Sequence, residues 1–280
     1  LTGKDDNVSD DNQTTLLTLT PNGGDYSGLS AQTLTVTTSD NDTAGFNLSK
    51  GTASVAETGT TDNFSVVLTS EPTANVTLTL SDNDSTEVSA SPTTLTFSSS
   101  DWSVAQWVTL TGKDDNVSDD NQTTLLTLTP SGGDYGSVGA QTVSVTTSDN
   151  DTAGLTVVES GGGTTATEGG DNDTFTVQLT SRPTGSVVIS VQAGNSADVS
   201  VSPTTLSFTD SSSSWQTAQT VTVSAINDAV DDDNVTSTIT VSINTSSTTD
   251  GKYDLVSAEN VTVVTVSDND TVGLVLSKSS

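Results

Sequence analysis

An all-β chain of tandem sandwiches is what this sequence predicts, and three observations carry the prediction. Apolar and polar residues alternate in short runs, as in Thr33-Leu34-Thr35-Val36-Thr37 and Asn75-Val76-Thr77-Leu78-Thr79-Leu80. A period of two means a strand with one buried face. Residues 1–21 are identical to residues 110–130, so the chain is an array of repeats. An acidic stretch, Ser39-Asp40-Asn41-Asp42-Thr43-Ala44-Gly45, returns at 148–154 and, with Val272 in place of the alanine, at 267–273. The copies stand about one domain length apart.

The repeats divide the chain into residues 1–42, the closing part of one unit; two complete units, 43–151 and 152–270; and residues 271–280, the opening strand of another. In the first complete unit, Phe64, Val66 and Leu68 mark one strand and Val76, Leu78 and Leu80 the next. Leu95 and Phe97, then Val108 and Leu110, then Leu125, Leu126 and Leu128, and finally Val143 and Val145 continue the series. Outward positions are mostly Thr and Ser, and threonine is a good strand former. Pro72, Pro92, Pro130 and Gly132-Gly133 mark turns. The second unit aligns closely: Ser91-Pro92-Thr-Thr-Leu-Thr-Phe97 becomes Ser202-Pro203-Thr-Thr-Leu-Ser-Phe208, and Trp102 becomes Trp215. No stretch has helical periodicity. About seven short strands in a unit of this size fit an immunoglobulin-like β-sandwich.

Composition narrows the chemistry. Thirty-six acids against six bases leave a formal charge of −30, with 30% hydrophobic residues. Such a chain repels itself unless cations neutralise part of it, and nucleic acid is excluded as a partner on the same ground. Without Cys, His or Met, disulfides, thiolate chemistry and imidazole-bound zinc or copper are ruled out. A Ser-His-Asp arrangement cannot exist. Paired carboxylates could serve a glycosidase, but here they recur in every unit, so the expectation is that the protein is not an enzyme. No signal peptide or membrane-inserting run stands in the sequence.

The acids cluster in three places per unit. A glutamate follows an early strand (Glu57, Glu168), and an aspartate run follows a later one (Asp114, Asp115, Asp119, Asp120; then Asp228, Asp231, Asp232, Asp233). The Asp-x-Asp pair closes the unit (Asp149 and Asp151; Asp268 and Asp270). In an up-and-down sandwich, loops after alternate strands gather at one end, which would bring the clusters together beside the next unit. So many carboxylates raise one another's pKa unless a cation sits among them. Calcium, with six to eight oxygen ligands, suits this supply better than magnesium. Solvated Asx turns are the alternative for any single acid. An EF-hand is not the explanation: Asp40, Asp42 and Gly45 fit its first, third and sixth positions, but the twelfth is Gly51, and flanking helices are missing.

The Asp run, the strand pair and the terminal Asp-x-Asp-x-Ala-Gly resemble the Calx-beta domain. That domain is the calcium-binding immunoglobulin-like module of sodium–calcium exchangers, integrin β4 and many large bacterial surface proteins. The resemblance implies calcium ligands at Glu57, Asp84, Asp114, Asp115, Asp119, Asp149 and Asp151. In the second unit it implies Glu168, Asp228, Asp232, Asp268 and Asp270, and in the leading fragment Asp5, Asp6, Asp10, Asp40 and Asp42. The second unit departs where Asn195 replaces Asp84 and Asn227 replaces Asp114.

The expected function is structural: a repeat segment of a long extracellular surface protein or filament, stiffened by calcium at the ends of the domains. Its expected partners are neighbouring repeats and other copies in a fibre, without insertion into a membrane. Two alternatives accompany this reading. One is an adhesion module that binds glycan or protein through loops or an outward-facing Trp107. The other is a subunit that polymerises by strand exchange.

Overall fold

The computed structural model describes residues 1–211, 213–231 and 233–274, with 262–265 in backbone only. Residues 275–280, part of the expected opening strand, lie outside the described residues, and 271–274 carry no strand. The described residues form two compact units: 1–115 with 121–149, and 116–120 with 150–274.

The first unit opens with a hairpin of β1 (Gln13–Leu19) and β2 (Gln32–Thr38), which among the described residues pair only with each other. A sandwich follows. Its strands are β3 (Phe46–Leu48), β4 (Thr52–Ala56), β5 (Thr61–Leu68), β6 (Val76–Asp82) and β7 (Val88–Ser91), then β8 (Thr94–Phe97), β9 (Gln106–Gly112), β10 (Gln122–Ser131) and β11 (Gln141–Ser148). One sheet runs β4-β11-β10-β6-β8 and the other β3-β5-β9-β7. The inward side chains of both, among them Phe64, Val66, Leu78, Phe97, Val108, Leu128 and Val145, form one core. Alternation set by the pleat thus becomes packing between two layers.

The second unit repeats the plan with β12 (Leu155–Glu159), β13 (Ala166–Thr167), β14 (Asp173–Leu179), β15 (Val187–Ala193) and β16 (Val199–Ser202). Then come β17 (Thr205–Phe208), β18 (Gln219–Ala225), β19 (Val235–Ile243) and β20 (Glu259–Ser267). Its sheets run β13-β20-β19-β15-β17 and β12-β14-β18-β16, around Phe175, Val177, Ile189, Phe208, Val221 and Val241. A tyrosine closes each core. Tyr135 and Tyr253 are buried, and each hydroxyl donates to a serine carbonyl, Ser70 at 2.8 Å and Ser181 at 2.6 Å.

Two expectations need correction. The strands are more numerous than the seven read per unit, since each sandwich has a five- or four-stranded sheet on either side. β4 and β7 were hidden because their runs are short. Nor is the order up-and-down. β4 pairs β11, and β13 pairs β20, in parallel, whereas neighbouring strands of a meander are antiparallel. The all-β sandwich class itself is what the strand pairing shows.

Candidate metal centre

Parallel pairing is what builds the site. Because β13 and β20 run in the same direction, their ends lie at one pole, Thr167 opposite Ser267. The next residue on each strand carries a carboxylate. Glu168 donates its backbone N–H to the Ser267 carbonyl at 3.1 Å, and Asp268 comes directly after that serine. β4 and β11 repeat this, Ala56 opposite Ser148, with the Glu57 N–H on the Ser148 carbonyl at 3.1 Å.

Glu168, Asp268 and Asp270 each offer a carboxylate oxygen, all within 4.8 Å of one another. Glu57, Asp149 and Asp151 do the same one repeat earlier. In both groups the glutamate is buried and the aspartates are half-buried. Such a group concentrates negative charge where water cannot fully solvate it.

Backbone geometry holds the group open. The Asp270 N–H donates to Asp268 Oδ1 at 2.7 Å, folding the Asp-x-Asp segment into a tight turn. The Asp268 N–H in turn donates to Asn234 Oδ1 at 3.2 Å. That asparagine follows Asp233, which has a φ of 60°, a left-handed conformation that aspartate tolerates better than most side chains. The pattern recurs: Asp120 has a φ of 64° and Asn121 accepts from the Asp149 N–H, while Asp11 has a φ of 60° and Asn12 accepts from the Asp40 N–H. Asn269 binds the Glu168 carbonyl at 2.7 Å and Asn227 Oδ1 at 2.8 Å. Asp231 accepts from the Val272 N–H at 2.8 Å, so it too holds the departing chain. Asp270 Oδ2 is buried and has no hydrogen-bond partner among the described residues. An acceptor left this way is costly, and it is the kind of atom a cation satisfies.

The other sequence-derived candidates are not members of these two groups of three. Asp5, Asp6, Asp10, Asp40 and Asp42 line a cleft of about 320 Å³ together with Asp11 and Lys4. Desolvation first, then Asp40, Asp5, Asp6 and Asp10, push the Asp42 carboxyl above its usual range. Asp84 stands outside the three-carboxylate group. It accepts from the Thr86 N–H and hydroxyl, which hold its carboxyl below the usual value. Its counterpart Asn195 makes the same kind of local turn, accepting from the Ala197 N–H at 3.2 Å, so the Asp-to-Asn change preserves the loop. Asp228 accepts from the Val230 N–H at 2.7 Å. Asp114, Asp115 and Asp119 belong to the loop after β9 and not to the three-carboxylate groups. Asp232 lies outside the described residues. Glu87, just before β7, was not among the candidates, yet it is buried. Its sequence signal is the acid repeated as Asp198 before Val199.

Comparison with known proteins adds fold neighbours only. No family model matches the sequence, and no curated protein matches it. Solved structures with partial likeness include the calcium binding domain CBD12 of CALX1.1, at 15% identity over 71% of this chain and 80% of that one, TM-score 0.31. The D00–D0 domain of intimin is 13% identical over 81% of this chain and 100% of that one, TM-score 0.27. The E. coli chaperone DraB is 6% identical over 73% and 95%, TM-score 0.31. Likenesses this distant carry no argument about family or function. What the fold and site define by themselves is a protein of repeated β-sandwiches, each with an acidic pole.

Proposed function

We propose that the chain is a segment of a long extracellular surface protein or filament, built from Calx-beta-like repeats at 43–151 and 152–270 and stiffened by calcium. Supporting this reading above all is the group Glu168, Asp268 and Asp270, with a buried, unpartnered Asp270 oxygen. Glu57, Asp149 and Asp151 would hold an ion in the same way. The donors are carboxylates, and backbone carbonyls lie close by, a hard-oxygen set that fits calcium.

The mechanical role follows from where the ligands sit. Glu168 belongs to the sandwich, whereas Asp268 and Asp270 belong to the chain leaving it. An ion binding both would pin the exit segment to the pole and remove freedom from the linker. Across repeats, that would hold an array extended. Neutralising part of the −30 charge would favour the folded state as well.

Titrating the whole chain with calcium and with magnesium in a calorimeter tests this. The expected result is saturable binding preferring calcium, together with a melting temperature that falls after EDTA. Absent heat and unchanged melting would overturn the proposal. A second reading rests on Trp107, which is 58% exposed on β9 opposite Ser65: an aromatic platform for a glycan. A spacer should bind nothing on a glycan array, and loss of a signal with Trp107→Ala would identify a platform.

A further inference from the structure

One backbone contact occurs twice in this chain with opposite charge around it. The segments Asn7-Val8-Ser9-Asp10-Asp11 and Asn116-Val117-Ser118-Asp119-Asp120 are identical. The former belongs to the first compact unit and the latter to the second, so each contact is made within one unit. In each, the asparagine carbonyl accepts from a backbone N–H in a turn between two strands of the sandwich, Glu71 at 2.7 Å and Arg182 at 2.6 Å. Val8 and Val117 stand opposite those residues in isolated parallel bridges. A main-chain donor meets a main-chain acceptor, so the hydrogen bond itself asks nothing of the side chain at 71 or 182.

Those side chains differ in sign. Ser70-Glu71-Pro72-Thr73 becomes Ser181-Arg182-Pro183-Thr184. A second position changes with it: Lys252, just before the buried Tyr253, pairs with Asp120, whereas the residue just before Tyr135 is Asp134. Folding does not demand the lysine. Asp134 accepts from the N–H and hydroxyl of Thr73, and in the second unit Asp250 does the same for Thr184, which leaves position 252 open to a base. Two of the chain's six bases thus meet one copy of the acidic segment, and two acids hold the corresponding places around the other. Asp10 and Asp119 stand two residues past the bridging valines, about 7 Å of extended chain. That is inside the screening length of about 8 Å at physiological salt.

We propose that these charges make the two contacts respond to salt in opposite senses. At Glu71 like charges oppose the contact, so the acidic segment closes onto the sandwich as cations screen it. At Arg182 and Lys252 opposite charges hold the contact unaided, and screening loosens it. One sequence thereby serves as an ion-gated latch in the first unit and a self-locked latch in the second. This inference does not rest on calcium at the three-carboxylate groups, and its test is made without that ion.

The test is amide hydrogen exchange read by NMR on the whole chain in EDTA. Sodium chloride is raised from about 0.01 M to about 1 M, which shortens the screening length from about 30 Å to about 3 Å. The N–H groups of Glu71 and Arg182 report the two contacts directly, and the core amides of Val66 and Val177 correct for global stability. Screening an exposed charge pair changes such an opening equilibrium by about two- to fivefold. Relative to the core amides, protection at Glu71 should rise by that factor and protection at Arg182 should fall by it. Arg182→Glu should reverse the direction at 182 and Glu71→Arg the direction at 71, each leaving the other contact unchanged. A variant that is merely less stable shifts all amides together and cannot imitate the reversal. Movement in the same direction at both amides, no movement at either one, or a direction that survives its charge reversal overturns the proposal.

Discussion

Glu168→Gln should change stability in opposite directions with and without calcium. Without the ion, Glu168, Asp268 and Asp270 repel across no more than 4.8 Å. Two unit charges at that distance repel by about 3 kcal/mol at an effective dielectric near 20 and about 1 kcal/mol in bulk water. Glutamine removes the two pairs that involve Glu168 and keeps the shape. Since both aspartates are half-buried, the lower end applies, and the variant should gain roughly 1–3 kcal/mol of folding stability. For a unit of this size that is on the order of 3–10 °C in melting temperature.

With calcium the sign reverses. An ion at a hundredfold excess over its dissociation constant stabilises the folded state by about 2.7 kcal/mol. A neutral amide makes a poorer ligand than a carboxylate, so the variant forfeits most of that gain and melts below the native chain. Differential scanning calorimetry at neutral pH, in EDTA and then in calcium, reads both signs from one pair of proteins. A shift of the same sign in both conditions would refute the reasoning, because Glu168 would then be an ordinary buried acid with protein partners only.

Three further outcomes test the fold around the site. Gly112→Ala should destabilise the first unit by more than about 3 kcal/mol in denaturant titration, because its Cβ would stand 2.1 Å from the Ala56 carbonyl oxygen, just before Glu57; Gly136→Ala, in open space, should be neutral. Tyr253→Phe should cost about 1–3 kcal/mol, since it strips the Ser181 carbonyl of its donor in a buried site, and an unchanged denaturation midpoint would contradict this. Carboxyl titration by NMR should place Asp62 below the ordinary 3.8 and Asp42 above it. The Lys50 hydrogen bond chiefly lowers Asp62, so its stabilisation is present above that ordinary value and lost as pH falls through its folded pKa. For Asp42 the sign is opposite, stability being gained as pH falls through the raised pKa, and the reverse order of the two titrations would overturn the assignment.

Much of the sandwich was legible because burial imposes period two. Phe64, Val66 and Leu68, or Val187, Ile189 and Val191, cannot alternate against polar neighbours by accident over so many runs, and all of them lie in the cores. Short strands were not legible. β4 contributes only Ala53 and Val55 to the core, and β7 only Val88 fully, too few positions to display a period. Strand order was hidden for another reason. Pairing between β4 and β11 joins residues about ninety apart, and nothing local in either segment announces its partner.

That same hidden pairing is what brings each glutamate to its Asp-x-Asp pair, a convergence the sequence led us to expect by way of an up-and-down order that the strands do not have. Recurrence identified Glu168 and the Asp268–Asp270 pair, but recurrence is equally strong for Asp114 and Asp115, which the three-carboxylate groups do not include. What separates them is the direction of the neighbouring strands. A carboxylate one residue past the end of β13 meets one just past the end of β20 only because these strands run parallel. Were they antiparallel, the two would lie at opposite poles. At Asp84 the Thr86 N–H and hydroxyl two residues on engage one carboxylate oxygen, and Asn195 takes the same turn in the second unit because that turn needs an acceptor, not a charge. At the pole the demand is different. A backbone turn needs one oxygen of Asp268, and the Asp270 N–H supplies the hydrogen bond; neither that turn nor the strand register requires Glu168 to bring a third carboxylate into the same space. The same arrangement recurs as Glu57, Asp149 and Asp151 in the first sandwich, and that recurrence of concentrated charge is what the calcium proposal rests on.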